Sequence, residues 1–130
     1  MDIGGSPNIT TTKRNVKYTK SSWSVHEFEV WSGEFICRVV SLKMRDSLLV
    51  WVGGREPRLD DLALAVPHGR SAVATSLVDA GGAADGLAAR LAAALSRPVH
   101  VCCGLVLDRF TAPLVEKGIA TEIKNHPEYF

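Results

Sequence analysis

Hydrophobic side chains recur along the first half of the chain in short runs that are separated by turn residues. Runs of this length, rich in β-branched and aromatic residues, are typical of strands. The pattern predicts five strands, at residues 24–31, 34–44, 47–52, 62–66 and 71–78. Ser32 and Gly33 predict a hairpin turn between the first two strands. Pro67 stops the fourth strand, for which a short helix is the competing assignment.

In the second half of the chain, the hydrophobic period lengthens to that of a helix. The repeated positions, four residues apart, are Leu87, Leu91 and Leu95. Pro98 ends this amphipathic pattern, and a strand is predicted at residues 99–107. A second helix is predicted from an N-cap at Thr111 to just before Pro127.

The predicted element order is therefore β-β-β-β-β-α-β-α. Consecutive strands with few helices between them favour antiparallel pairing. The chain is predicted to fold as a single α+β domain of about six mainly antiparallel strands with two flanking helices. Residues 1–22 form a polar leader that is predicted to be disordered, because it has too few apolar side chains to offset the entropy of ordering. The domain itself is assigned to residues 23–130.

Several predicted strands are apolar on both faces. In residues 47–52, Leu48, Val50 and Val52 point one way. Leu49 and Trp51 point the other way, and Trp51 is expected to lie in the core. Two helices, each about 10 Å across, cover only about four strands at a spacing of about 4.8 Å. Either the sheet curls so that its strands cover each other, or a second protein covers part of it.

Composition narrows the classes of partner. The chain has 130 residues, 46% of them hydrophobic and 22% charged, and its net charge is +1. A charge this small argues against a polyanion as the main target, so neither nucleic acid nor a membrane is expected as a partner. An accessory nucleic-acid contact through the basic residues at 13–20 is a weaker alternative. With no apolar segment typical of a signal peptide, the protein is expected in the cytoplasm, with the nucleus as a second compartment.

The candidate chemical groups do not form a catalytic set. The chain has three cysteines, Cys37, Cys102 and Cys103, which are predicted to be reduced and buried because each lies in an apolar run. Cys102 and Cys103 are adjacent on a strand and therefore point to opposite faces, so a zinc site would need His100, Cys102 and Cys37 together. The glycine-rich stretch at 79–86 lacks a phosphate-binding motif. No catalytic, cofactor or metal residue is assigned.

Several segments, in order along the chain, resemble one known family. They are Asp46–Gly53 with the sequence DSLLVWVG, residues 62–65 (LALA), 75–77 (TSL), 86–92 (GLAARLA), 114–117 (LVEK) and the closing residues 126–130 (HPEYF). Their order and spacing, from about Val25 to the end of the chain, resemble the proteasome assembly chaperone 4 family. The polar leader, the loop at 79–86 and the alanine-rich first helix depart from that family.

The resemblance implies a non-catalytic chaperone with a β-sheet and flanking helices. It implies a heterodimer with a proteasome assembly chaperone 3-like protein, and transient contact with proteasome α-subunits during assembly of the 20S α-ring. No cofactor is implied. The alternative is a small cytosolic ligand-binding or enzymatic domain with a site near Ser76, His100 and Cys102.

Four residues are predicted to contact a partner. Trp31 lies near a hairpin turn, and aromatic residues are favoured as binding anchors. Arg90 lies on the flank of the first helix, where it could pair with a partner carboxylate. Tyr129 and Phe130 are an apolar pair that must dock either on a partner or on their own domain.

Overall fold

The computed structural model describes residues 15–79 and 84–130. Its elements are β1 (Ser24–Ser32), β2 (Phe35–Lys43), β3 (Leu48–Gly53), β4 (Asp61–His68), β5 (Ser71–Val78), α1 (Ala84–Leu95), β6 (Val99–Cys103), α2 (Thr111–Asn125) and a 3₁₀ helix at Pro127–Tyr129. The predicted α+β class and the order β-β-β-β-β-α-β-α are confirmed.

Two predictions from the sequence concern residues that lie wholly or partly outside the described ranges. Residues 1–14 of the predicted leader and residues 80–83 of the glycine-rich connection lie outside the described residues. Residues 15–23 form neither helix nor strand. The disorder of the leader stays a prediction.

The strands form one sheet in the order β1-β2-β3-β6-β4-β5. The pairs β1–β2, β2–β3, β4–β5 and β4–β6 are antiparallel, whereas β3 and β6 are parallel. The parallel pair arises because the hairpin β4–β5 and helix α1 intervene in the chain before β6 enters the sheet between β3 and β4. β1 and β5 are the two edges of the sheet, so the strands do not close on each other.

Both helices lie on the same side of the sheet. Helix α1 packs on β4, β5 and β6, and α2 packs on β1 and β2. The strand residues beneath α1 include Ala63 and Ala65, which are fully buried. Their small side chains let the alanine-rich face of α1 approach the sheet closely. The helix-side core also contains buried valines, leucines and isoleucine from both layers: Val39, Leu48, Val50, Val52, Leu87, Leu91, Val99, Val101, Val115 and Ile119.

Two strand boundaries differ from the predictions. β6 ends at Cys103 rather than at residue 107, because its neighbour β3 ends at Gly53 and the chain at Arg58 crosses beside Gly104. β4 continues through Pro67, although that proline was expected to stop it. β6 pairs with β4 only as far as Ala65, so β4 has a free edge beyond that point and tolerates a residue without an N–H.

The start of α2 also differs from the prediction. Thr111 was expected to be the N-cap, but it is the first residue of the helix. The carboxylate of Asp108 accepts the backbone N–H groups of Phe110 and Thr111, each at 2.8 Å. These hydrogen bonds lower the pKa of Asp108, because they stabilise its charged form. The cap therefore comes from a residue before the apolar pattern begins.

Close packing of α2 on β1 depends on Gly118. A Cβ atom at this position would lie 2.6 Å from Cγ2 of Val30. In an exposed helix, replacing glycine by alanine stabilises by about 1 kcal/mol. Here we expect Gly118→Ala to lower the free energy of unfolding by roughly 1–3 kcal/mol, because the helix must move away from the strand. Urea denaturation measures this change.

A double-mutant cycle with Val30→Ala provides the control. Removing the valine methyl groups makes room for the new Cβ, so Gly118→Ala should be less harmful in the Val30→Ala background than in the native chain. A stabilising effect of Gly118→Ala in the native background would contradict the close contact.

Candidate protein-interaction face

The side of the sheet opposite the helices carries an extensive apolar surface, which we call the open face; on β1 and β2 this face also carries the ion pair of Glu27 and Arg38. The strand register places its members in adjacent rows. Its apolar residues are Val25, Trp31, Ile36, Val40, Leu42, Leu49, Trp51, Leu62, Leu64, Val66, Val73 and Val78. No helix among the described residues covers this side. The surplus of apolar surface predicted from the strand patterns is therefore real.

The degree of exposure varies across the open face. Val25 at one edge is 67% exposed and Val73 at the other edge is 64% exposed. Residues of the central strands, such as Leu49 and Leu64, are half-buried by their neighbours. Contiguous apolar surface of this kind is typical of an interaction site, whereas single exposed apolar residues are not informative.

Trp51 was expected in the core, and that expectation is wrong. It lies on the open face and is half-buried. Its ring packs over Gly53, where a Cβ atom would lie 2.1 Å from Cζ2 of the indole. Its Nε1 donates a hydrogen bond of 2.8 Å to the main-chain oxygen of Arg58. The indole thus ties the β3–β4 connection to the sheet and leaves part of its ring on the open face.

Trp31 lies at the edge of the open face on β1 and is 66% exposed. Its Nε1 donates a hydrogen bond of 2.9 Å to Glu29. It borders an open depression of about 510 Å³ whose charged lining residues are Glu29, Glu34, Arg38 and Arg55. The exposed indole is accessible to a second protein, and its predicted role as a partner contact stays a prediction.

Arg90 is on the helix side of the molecule. Its Nε donates to Oε1 of Glu116 at 2.5 Å, so it links α1 to α2. Both side chains are substantially exposed, and surface pairs of this kind contribute little stability. Its predicted role as a partner contact stays a prediction.

Tyr129 and Phe130 dock on their own domain. The ring of Tyr129 stacks on His26, with centroids 4.0 Å apart and planes at 6°. Phe130 is 2% exposed, and its main-chain oxygen accepts a hydrogen bond of 3.0 Å from Arg97. Nε2 of His26 lies 2.7 Å from a carboxylate oxygen of Glu122. These contacts fasten the end of the described chain to the helix side of β1 and β2, and contact with a partner at these two positions stays a prediction.

The three cysteines are buried free thiols in this structure. Burial raises the pKa of Cys37 to about 11 and that of Cys103 to about 12. Burial also raises the pKa of Cys102. Because the thiolate is the reactive form, raised pKa values make these cysteines poor nucleophiles and poor metal ligands near neutral pH.

The residues of the alternative site do not converge. His100 and Cys102 lie on the open face, as their spacing predicted. Cys37 and Ser76 lie on the helix side, because they share the orientation of Val30 and Ala63 with which they pair. The sheet therefore separates the conceivable zinc ligands, and no group of three metal-binding side chains occurs in residues 15–79 and 84–130. Within the same residues, no helix has the length and apolar content needed to cross a bilayer.

The fold and this surface define a class of protein, namely a two-layer α+β domain with helices on one side of its sheet and a largely apolar face on the other. A model of the family described as proteasome assembly chaperone 4 matches residues 35–105. Human proteasome assembly chaperone 4 is 33% identical over 112 residues, which are 82% of this chain and 90% of the human protein. The chain belongs to the proteasome assembly chaperone 4 family, and the resemblance predicted from its segments is confirmed.

A solved structure shares the fold. A chain of the crystal structure described as a novel chaperone complex for yeast 20S proteasome assembly superposes with a TM-score of 0.56 at 16% identity. The match covers 78% of this chain and 91% of that chain. This likeness shows that the two chains share a fold.

The open face includes residues that no single strand pattern would select as binding residues. Val40, Leu64 and Val73 come from three separate hairpin strands, and each alone is an ordinary strand residue. The sequence feature that indicates this surface is the apolar character of both strand faces, as Leu49 and Trp51 show for β3. Only the strand order reveals that the second-face residues join into one surface.

The buried thiols predict slow chemical modification. In the native protein at pH 7 to 8, all three cysteines should react with a disulfide reagent far more slowly than a free thiol, and the denatured chain should release three equivalents. Because the pKa values are raised, the thiolate fraction of the native cysteines rises about tenfold for each pH unit between pH 7 and pH 9, whereas that of a free cysteine, with a pKa of about 8.5, begins to saturate. The change from pH 7 to pH 9 should therefore accelerate the native reaction by a larger factor than the reaction of a free cysteine, although the native reaction stays slower at both pH values. One fast thiol at pH 7 would instead support the enzymatic alternative.

The buried position of Phe130 predicts a structural role. Phe130→Ala should lower the free energy of unfolding by roughly 3–5 kcal/mol, because it leaves a cavity in the helix-side core. Trp31→Ala is the matched control: as an exposed aromatic it should change stability by less than about 0.5 kcal/mol. Thermal and urea unfolding of the two variants test this contrast, and equal effects would show that Phe130 does not anchor the chain.

Proposed function

We propose that this chain is a non-catalytic assembly chaperone that uses the open face to pair with a proteasome assembly chaperone 3-like protein. The pair promotes assembly of the 20S α-ring through transient contacts with α-subunits and acts without a cofactor. It works in the cytoplasm and also in the nucleus. Membership of the proteasome assembly chaperone 4 family supports the role in proteasome assembly.

The uncovered apolar face is the observation that supports the proposed pairing. Six strands at about 4.8 Å spacing and five or six residues at about 3.3 Å rise give a face of about 24 by 18 Å in projection. Protruding side chains and the loops at its rim enlarge the accessible area towards the 800 Å² or so that each partner contributes to a standard interface. A second sheet packed face to face at about 10 Å would bury it in the manner of a β-sandwich.

The curled-sheet explanation has no support in the strand order. A curled sheet would hide its second face by bringing its ends together, but β1 and β5 are edges with no partner on their outer sides among the described strands. The side chains of the central residues Leu49 and Leu64 remain partly exposed. The face is thus available to another protein.

The absence of converging chemistry in the described residues supports a binding role rather than catalysis. The three thiols are buried with raised pKa values, and Ser76 lies on the opposite side of the sheet from His100. The net charge of +1 gives no electrostatic reason to expect nucleic acid or a membrane surface as the target.

Charge substitutions on the open face test the pairing. The tagged native chain, expressed in cells, should recover a second small sheet protein and proteasome α-subunits. Leu64→Lys and Leu42→Lys lie on opposite halves of the sheet, and Leu42 has the apolar cross-strand neighbours Val25 and Leu49. Each substitution should weaken capture at least about 100-fold, because an unpaired charge buried in an interface costs roughly 3–5 kcal/mol. Quantitative pull-down at low salt measures the effect.

Ala120→Lys is the matched control, since it adds the same charge at an exposed position of α2. It should leave capture unchanged. Circular dichroism should show that all three variants fold, because lysine can extend its amine into water from a half-exposed site. Undiminished capture by both open-face variants would contradict the assigned interface, and no recovery of α-subunits by the native chain would contradict the chaperone role.

A further inference from the structure

On the two central strands of the open face, β3 and β6, His100 is a polar residue among the apolar side chains of Leu49 and Trp51. It lies on β6, directly between Leu49 of β3 and Leu64 of β4 in the strand register. Within residues 15–79 and 84–130, its Nδ1 is the one buried side-chain nitrogen or oxygen that has no hydrogen-bond partner. An unpaired polar atom of this kind, beside apolar neighbours, calls for a physical reason.

The burial of Nδ1 determines which tautomer fits. A neutral imidazole carries one proton, and the other ring nitrogen is an acceptor. A buried N–H without a partner is rarer in proteins than an under-satisfied acceptor. The favoured tautomer therefore leaves Nδ1 as the acceptor and carries the proton on Nε2.

Burial of Nδ1 also determines which part of the ring a partner meets. The His100 side chain remains partly exposed although Nδ1 does not. β6 is paired on both sides, so its backbone contributes little to that exposure. The accessible part is the ring edge that carries Nε2.

We infer that His100 presents an N–H donor at the centre of the open face and selects a partner whose facing strand supplies a side-chain oxygen acceptor. This inference rests on the proposed pairing through the open face and adds the chemistry of the partner. When an apolar interface forms, an N–H donor that meets no acceptor loses its hydrogen bond to water and gains none in return. An acceptor on the partner therefore affects the choice between partners more than it increases the affinity.

The same donor disfavours pairing with a second copy of this chain. The boundary between β3 and β6 is the middle of the sheet, because three strands lie on each side of it. If two copies stack their open faces with full overlap, the two-fold axis that relates them lies near this boundary. Each His100 then approaches its own copy, and two Nε2–H donors meet among leucines. One ring would have to change tautomer and bury an unpaired Nδ1–H. His100 is thus a specificity determinant that favours a different sheet over an identical one.

His100→Phe tests the inference, since it keeps the ring but removes both nitrogens. The purified variant should bind the proteasome assembly chaperone 3-like protein about 10- to 100-fold more weakly, because the partner's acceptor is left unpaired. The same variant should self-associate more tightly than the native chain. Titration calorimetry measures the first change and analytical ultracentrifugation the second.

Two further variants separate the possible outcomes. His100→Gln restores an N–H donor on a side chain of similar reach and should recover part of the preference for the different partner. Leu49→Ala removes apolar area without changing polarity and should weaken both pairings together. If His100→Phe shifts the two affinities in the same direction, or His100→Gln behaves like it, the inference is overturned.

The failure of this inference can be distinguished from failure of the proposed interface. If Leu64→Lys abolishes pairing while His100→Phe leaves the ratio of the two affinities unchanged, the open face is the interface and the role given to His100 is wrong. If Leu64→Lys leaves pairing intact, the interface lies elsewhere, and the inference about His100 falls with it.

Discussion

The sheet is largely apolar on both faces, but helices cover only one of them, and both the core and the exposed surface of the domain follow from this. Helices α1 and α2 cover the side of Val39, Val50 and Val101, and these side chains are fully buried. The opposite side keeps Leu49, Leu64 and their neighbours only half-buried. Exposed apolar surface of this extent is unfavourable in water, so the open face carries a free-energy cost that the helix side does not have.

The helix side shows how closely a small domain must pack to stabilise such a sheet. Gly118 lets α2 approach Val30, and the alanines of α1 lie over Ala63 and Ala65. Phe130 and the stack of Tyr129 on His26 fill the remaining space beside α2. The proposed pairing uses the other face, with Trp31 at its rim and His100 at its centre. In this proposal, stability and partner choice depend on opposite sides of one sheet.

Much of the fold could be predicted from the sequence, because strand and helix periods are local properties of the chain. The six strands, the two helices and their order follow from alternation, leucine spacing and turn residues. The errors have tertiary causes. Thr111 loses the capping role to Asp108, Pro67 is tolerated because β6 pairs with β4 only to Ala65, and Trp51 lies on the open face because that side has no helix cover.

For the open face, fewer properties could be predicted from the sequence than for the fold. Side chains alternate along a strand whatever its neighbours are, so the residue pattern is enough to predict that both faces of the strands are apolar and that His100 and Cys102 share a face. The three-dimensional structure was needed to establish that both helices lie on one side and that Val40, Leu64 and Val73 join into one surface. It also decided that Phe130 belongs to the core. Those facts depend on the order β1-β2-β3-β6-β4-β5, a set of long-range pairings that no local pattern encodes.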